Sequence, residues 1–198
     1  MMQKQIKGLL YFYVTDLKFS LKVFWSILLA IAVISLVISY FIRDIENGFF
    51  HLSLTGPIYV YCAIVGFLMV KDSIPFSIKM GATRKNILMS LAIFFLGLSL
   101  FMSILASSLQ VIINYITQLL DMPHFNFLHI ANIFDGSWMT RMIIDTSITF
   151  FALSLLFVIG LIFYRSGVVG GGITLGIVFL VALTGFAQGW LGDFFINI

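Results

Sequence analysis

The sequence predicts an all-α fold: a polytopic helical membrane protein, one transmembrane domain over residues 1–198 with an amino-terminal interfacial helix and a short cytoplasmic coupling helix. Three observations carry this. Hydrophobic residues make up 61% of the 198 positions and charged ones 10%, with 22 Phe and a mean hydropathy of +1.12. A soluble domain is about 45–50% apolar and about 25% charged, and one core of this size could not hide the excess. The charges are also clumped, leaving charge-free runs at 23–42, 47–70, 86–120, 146–164 and 166–192, each near the roughly 20 apolar residues that cross a bilayer as a helix. Finally, the basic residues are lopsided. With 1–22 inside, Lys4, Lys7, Lys18, Lys22, Lys71, Lys79, Arg84, Lys85 and Arg165 fall on the cytoplasmic side, leaving Arg43 and Arg141 outside, the bias of the positive-inside rule. This reads as a multi-pass bacterial cell membrane protein with a cytoplasmic amino terminus. The net charge of +3 is thereby a matter of topology, and no nucleic-acid role follows.

In residues 1–22, Ile6, Leu9, Leu10, Tyr13, Val14 and Leu17 recur at spacings of three and four, opposite most of the lysines. Such a basic amphipathic helix is expected in the headgroup plane, its lysines on anionic lipid. No cleavable signal is expected, because the first apolar run is 20 residues long and no small-x-small site follows Tyr40. Membrane helices follow at 23–42 and 52–70, the second with Pro57 in its first turns, where a missing N–H costs least.

The 71–85 loop is expected to hold a two-turn helix from Ser73 to Met80. Asp72 or Ser73 would cap it, Pro75 suits its first turn, Gly81 can end it in the left-handed conformation, and Thr83 can cap the next helix. A helix this short is unstable alone in water, so it needs lipid or protein beneath it. A plain basic loop that only sets topology is the alternative.

From Asn86 to Leu120 no charge interrupts the chain. As one helix this run would be about 52 Å long, some 20 Å more than the hydrocarbon layer. Membrane helix 86–113 must therefore tilt, kink or project into the outer segment 114–142. Ser99, Ser103, Ser107, Gln110, Asn114 and Thr117 share one face of it. The stripe suits helix packing, or a translocation pathway or subunit seam. In the outer segment Asp121, His124, His129 and Asp135 match no metal-ligand spacing, and no metal is expected. Phe125, Phe127 and Trp138 suit interfacial anchors, and Asp145 can pair with Arg141 one turn away.

The last two membrane helices are expected at 143–164 and 168–187. Gly167, Gly171, Gly172 and Gly176 open the last one, with Gly-x-x-x-Gly spacing that favours close helix packing. A hinge is the alternative. No Gly-x-x-x-x-Gly-Lys-Ser/Thr occurs, so ATP is not expected to bind this chain. Five crossings leave the carboxy terminus outside, and 189–198 is too short to return. The sequence thus reads as stopping before a further helix, or as closing in a short re-entrant hairpin over 185–198. The apolar runs 23–42, 52–70 and 86–120 hold no Asp, Glu, Lys, Arg or His, which argues against an intramembrane enzyme.

The run Pro75-Phe76-Ser77-Ile78-Lys79-Met80-Gly81-Ala82-Thr83-Arg84-Lys85-Asn86 resembles the coupling loop of the small permease subunits of bacterial ABC-2-type transporters. In that family an aromatic and apolar segment precedes a Gly-x-Thr-Arg-Lys run. The close match covers about 12 residues, and the order of amphipathic helix, hairpin, coupling helix and further membrane helices agrees more loosely. The family has six membrane helices where this chain supports five. The resemblance implies half of an exporter: two permease chains, identical or paralogous, enclose a pathway, and two cytoplasmic ATPase subunits bind the ATP and magnesium. The coupling residues would be Ile74, Phe76, Ile78, Lys79, Met80, Gly81, Thr83, Arg84 and Lys85. The apolar and polar mix of the stripe suggests an amphipathic cargo such as a peptide. A membrane scaffold or sensor without transport, and a secondary transporter using Asp145, are the competing expectations.

Overall fold

The computed structural model describes residues 2–42, 50–120, 125–127 and 138–187. Four long helices dominate: α1 (Met2–Ile42), α2 (Thr55–Lys79), α3 (Arg84–Leu119) and α4 (Trp138–Ala187). Two three-residue strands, β1 (Phe50–Leu52) and β2 (Phe125–Phe127), pair in parallel with Phe50 opposite Phe125. All four helices are long and apolar enough to cross a membrane. Their outward faces carry large apolar side chains such as Val33, Phe41, Ile112 and Phe151, all well exposed. Only hydrocarbon covers such a surface stably.

The sequence divides the first 42 residues into a surface helix and a membrane helix, but the structure runs them together as one helix of 41 residues, about 61 Å long. Nothing between Ser20 and Phe24 breaks helical geometry, because the stretch holds no Gly or Pro. Part of the apolar face of the first turns is covered by protein. Leu9 and Tyr13 are fully buried, and Tyr13 meets the Phe94 ring edge-on at 5.6 Å.

Contacts fix how the helices run. Gln5 meets Asn86 and Tyr13 meets Phe94, the same sequence offset, so α1 and α3 are parallel. Tyr59 meets Asp145 and Gly66 meets Leu153, so α2 and α4 are parallel. Ser103 meets Met142, and Phe95 meets Phe157, so α3 and α4 are antiparallel. By these registers the charge-free stretch of α1 lies beside the second half of α3. Those of α2 and α4 lie beside its first half. The length of α3 therefore serves two staggered neighbours.

The α2–α4 contact is the closest. A Cβ on Gly66 would overlap the Leu153 carbonyl, and one on Gly160 would come within 2.9 Å of Val70 and 3.1 Å of the Phe67 carbonyl. Two glycines facing opposite helices bring the backbones together, the packing that membrane helices favour.

The fourth helix is broken at Gly167, which has φ 70° and ψ 179°. A first arm (138–166) belongs to the bundle. A second arm (168–187) leaves it, with Val168 82% exposed and Ile173, Ile177 and Leu180 also outside. The first arm begins at Trp138, five residues before the expected start at 143, and α3 runs to Leu119 beyond the expected end at 113. Expectations for His124, His129, Asp121 and Asp135, and for the segment after Ala187, lie outside the described residues.

Candidate functional site

The corner between α2 and α3 is the most elaborately built part of the chain. The sequence places a separate two-turn helix here, but α2 continues without interruption to Lys79, with Pro75 in its interior. An interior proline removes one backbone hydrogen bond, at about 3 kcal/mol or more. What keeps the helix going is that Ser73 does not turn outward as a cap. Its hydroxyl donates to the Met69 sulfur at 2.8 Å, and that of Ser77 donates to the Ser73 carbonyl at 2.6 Å. Both serines are fully buried.

Termination follows the expected residues. Gly81 has φ 70°, its N–H bonds the Ile78 carbonyl at 2.9 Å, and the Ala82 N–H bonds the Ser77 carbonyl at 3.1 Å. This crossed pair is a Schellman cap, and it requires a residue tolerant of positive φ. Thr83, in extended conformation, then accepts from the Asn86 N–H at 3.4 Å to start α3. Two helices thus meet through three non-helical residues and Thr83.

The amino-terminal turns of α1 brace this corner, which sequence reasoning missed. Phe12 stacks on Phe76 with centroids 3.8 Å apart and planes 14° from parallel. Asn86 donates to the Gln5 side chain at 2.7 Å. The Tyr13 and Ser77 hydroxyls are 3.0 Å apart. Because the Ser77 proton goes to the Ser73 carbonyl, Tyr13 is the donor. Nothing in residues 1–22 signalled the brace, since an amphipathic face suits lipid and protein equally.

The brace divides the coupling residues into two groups. Ile74 and Phe76 are half-buried, Phe76 under Phe12, so Phe76 is a joint within the chain rather than a free anchor. Ile78 and Met80 stay open, 59% and 58% exposed, beside exposed Lys79, Gly81, Thr83, Arg84 and Lys85. Lys4 and Lys7 stand on the neighbouring turns of α1, also exposed. The outcome is two apolar side chains ringed by basic ones on a rigid end of the bundle.

The polar stripe of α3 is turned into the bundle. Ser99, Ser103, Ser107, Gln110 and Thr117 are buried and Asn114 is half-buried. Ser103 donates to the Met142 carbonyl on α4 at 2.7 Å, while Ser99 and Thr117 bond carbonyls of their own helix. Within this chain the stripe packs helices together rather than facing an open pathway. Asp145, one turn into the apolar part of α4, is 2% exposed and accepts from the Tyr59 hydroxyl at 2.5 Å. It thereby ties α4 to α2.

The glycines chosen from sequence divide differently. Gly167 is the break itself, and a Cβ on Gly171 would overlap the Phe163 ring of the first arm, a side chain rather than the backbone of another helix. Gly172 and Gly176 face open space. Gly66 and Gly160, not marked by any repeat in the sequence, make the close approaches instead. A partly polar groove lies between α1 and α2, lined by Asp16, Ser20, Tyr61, Asp72 and Ser73 among apolar residues, with a volume of about 170 Å³. Ser20 accepts from the Tyr61 hydroxyl at 3.0 Å. Among the described residues no group of three or more His, Cys, Asp or Glu could hold a metal ion.

Fold and surface together define a helical membrane protein. No family model, curated protein or solved structure matches the chain.

Proposed function

We propose that this chain is the membrane-spanning permease subunit of an ATP-binding-cassette exporter of the ABC-2 type. In this reading the amino terminus is cytoplasmic, and the two arms of α4 are separate crossings, giving five. Two copies of a cytoplasmic ATPase, which bind ATP and magnesium, dock on the corner between α2 and α3. A second permease chain, identical or paralogous, completes the pathway for an amphipathic cargo such as a peptide. The observation that carries the reading is the corner itself. Ile78 and Met80 project from a capped, braced turn within a basic rim, and apolar anchors with a polar rim suit a protein docking site. A load on that turn reaches three helices at once, through Phe76 to α1, through the Schellman cap to α2, and through Thr83 to α3.

The test is copurification with an ATP-binding-cassette ATPase coproduced from a neighbouring reading frame. Ile78→Glu with Met80→Glu is expected to abolish copurification, and Arg84→Glu to weaken it. Phe76→Ala is expected to uncouple ATP hydrolysis from cargo while the complex still forms. Full copurification and coupling in the Ile78/Met80 variant would exclude the docking role.

A second reading rests on a different observation, the burial of Asp145 against Tyr59 inside the apolar bundle. An ionisable residue at such depth suits proton or cation coupling in a secondary transporter. Asp145→Asn separates the two: it abolishes uptake or export driven by a proton gradient, but leaves ATP-driven export intact.

A further inference from the structure

The face that α1 turns toward α3 is apolar, and the two helices do not close on each other along it. Between them runs a groove of about 460 Å³ lined by Leu10, Val14, Leu17 and Leu21 on one side and Ile93, Phe94, Gly97, Leu98 and Phe101 on the other. Its lining is apolar throughout. From Leu10 to Leu21 it extends about 16 Å along the helix axis. Gly97 contributes to its openness: a Cβ there would find nothing within 4 Å. Val14 is 56% exposed over the same space.

Two cations border the groove. Lys7 precedes Leu10 by one turn and continues the stripe formed by positions 10, 14, 17 and 21. Lys18 lies beside Leu17 and Leu21, and both lysines are exposed. Lys7 and Lys18 are about 16 Å apart along the helix axis, so Lys7 stands at the amino-terminal mouth of the groove and Lys18 near its other end. Asp16, the nearest carboxylate on α1, faces the opposite groove against α2. An apolar slot with an exposed lysine at its mouth matches one kind of membrane molecule, an anionic phospholipid with an acyl chain in the slot and its phosphate near Lys7.

We infer that the groove between α1 and α3 holds one acyl chain of an anionic phospholipid, with Lys7 selecting its headgroup. The bound chain completes the packing of α1 along α3 and so supports the brace on the α2–α3 corner. The inference stands apart from the exporter reading, since it rests on the groove and the lysine at its mouth.

Native mass spectrometry of the full chain in mild detergent tests it, with phosphatidylglycerol and phosphatidylcholine of identical acyl chains as probes. One phosphatidylglycerol is expected to persist where phosphatidylcholine dissociates. Lys7→Gln should reduce that preference roughly fivefold. Gly97→Leu and Val14→Phe fill the slot from opposite helices and should each remove the retained lipid. If the first fails to fold, the second still decides, because its position is open. Equal retention of the two lipids by the unaltered chain overturns the inference, as does retention of phosphatidylglycerol by Val14→Phe. A free fatty acid in place of the phospholipid overturns the headgroup role. A lipid-free dimer that Val14→Phe dissociates assigns the groove to a second copy instead.

Discussion

The two arms of α4 are both largely apolar yet occupy opposite situations. The first arm presses against α2 so tightly that Gly66 and Gly160 have no room for a side chain. The second arm, richer in glycine and equally apolar, meets little of the chain, and Gly172 and Gly176 face open space. Glycine spacing therefore does not indicate packing by itself. What decides is whether another backbone lies opposite, and in the first arm Leu153 and Phe67 do. The same contrast separates polar residues. Asp145 and Tyr59 hold the packed arm in place, whereas Thr174 and Thr184 on the free arm bond only carbonyls of their own helix.

Substitutions can break or sharpen this contrast, and the largest effect belongs to the packed arm. Gly66→Leu drives a side chain into the Leu153 backbone, which cannot move aside as a flexible side chain would. Destabilisation beyond about 3 kcal/mol is expected, read as loss of a monodisperse peak and a collapsed thermal transition in detergent. Asp145→Ala comes next. It leaves the Tyr59 hydroxyl buried without its acceptor, an expected loss of about 1–3 kcal/mol, and Tyr59→Phe in the same background should add little, because the two act as one contact. Gly167→Ala forces a side chain onto φ 70° and ψ 179° and should cost about 1–3 kcal/mol. Straightening of the break, visible as an altered distance between spin labels on the two arms, would accompany it.

The smallest effect is expected at Gly172→Ala and Gly176→Ala. Nothing stands within 4 Å of either position, so the single chain should change only through helix propensity, toward greater stability by no more than about 1 kcal/mol. A large loss in membranes, with none in detergent-isolated monomer, would place a second chain on this arm. That result would turn the contrast into one between packing within a chain and packing between chains.

The sequence announces some parts of this molecule well because they depend on local chemistry. Gly81 ends α2 and Thr83 starts α3 as the residues dictate, since a left-handed cap and an oxygen that accepts from a backbone N–H act within four residues. The apolar runs foretell helices for the same reason. The polar stripe of α3 was legible as a face but not as a contact. Six positions at helical spacing say which side they share, and only the Ser103 bond to Met142 says what lies opposite. Pro75 misled because its usual preference for a first turn was overridden by the burial of Ser73 and Ser77.

What sequence determined by itself is therefore the solvent and the punctuation. Composition commits the chain to a bilayer, and caps and glycines mark where helices can end. Tertiary structure alone decided that α1 runs unbroken and braces the α2–α3 corner through Phe12, Tyr13 and Gln5. It alone decided that Gly66 and Gly160 carry the tightest contact, and that Ile78 and Met80 rather than Phe76 stay open. The physical reason is that propensities and caps act over a few residues, while a stack, a backbone contact or an exposed anchor depends on partners tens of residues away.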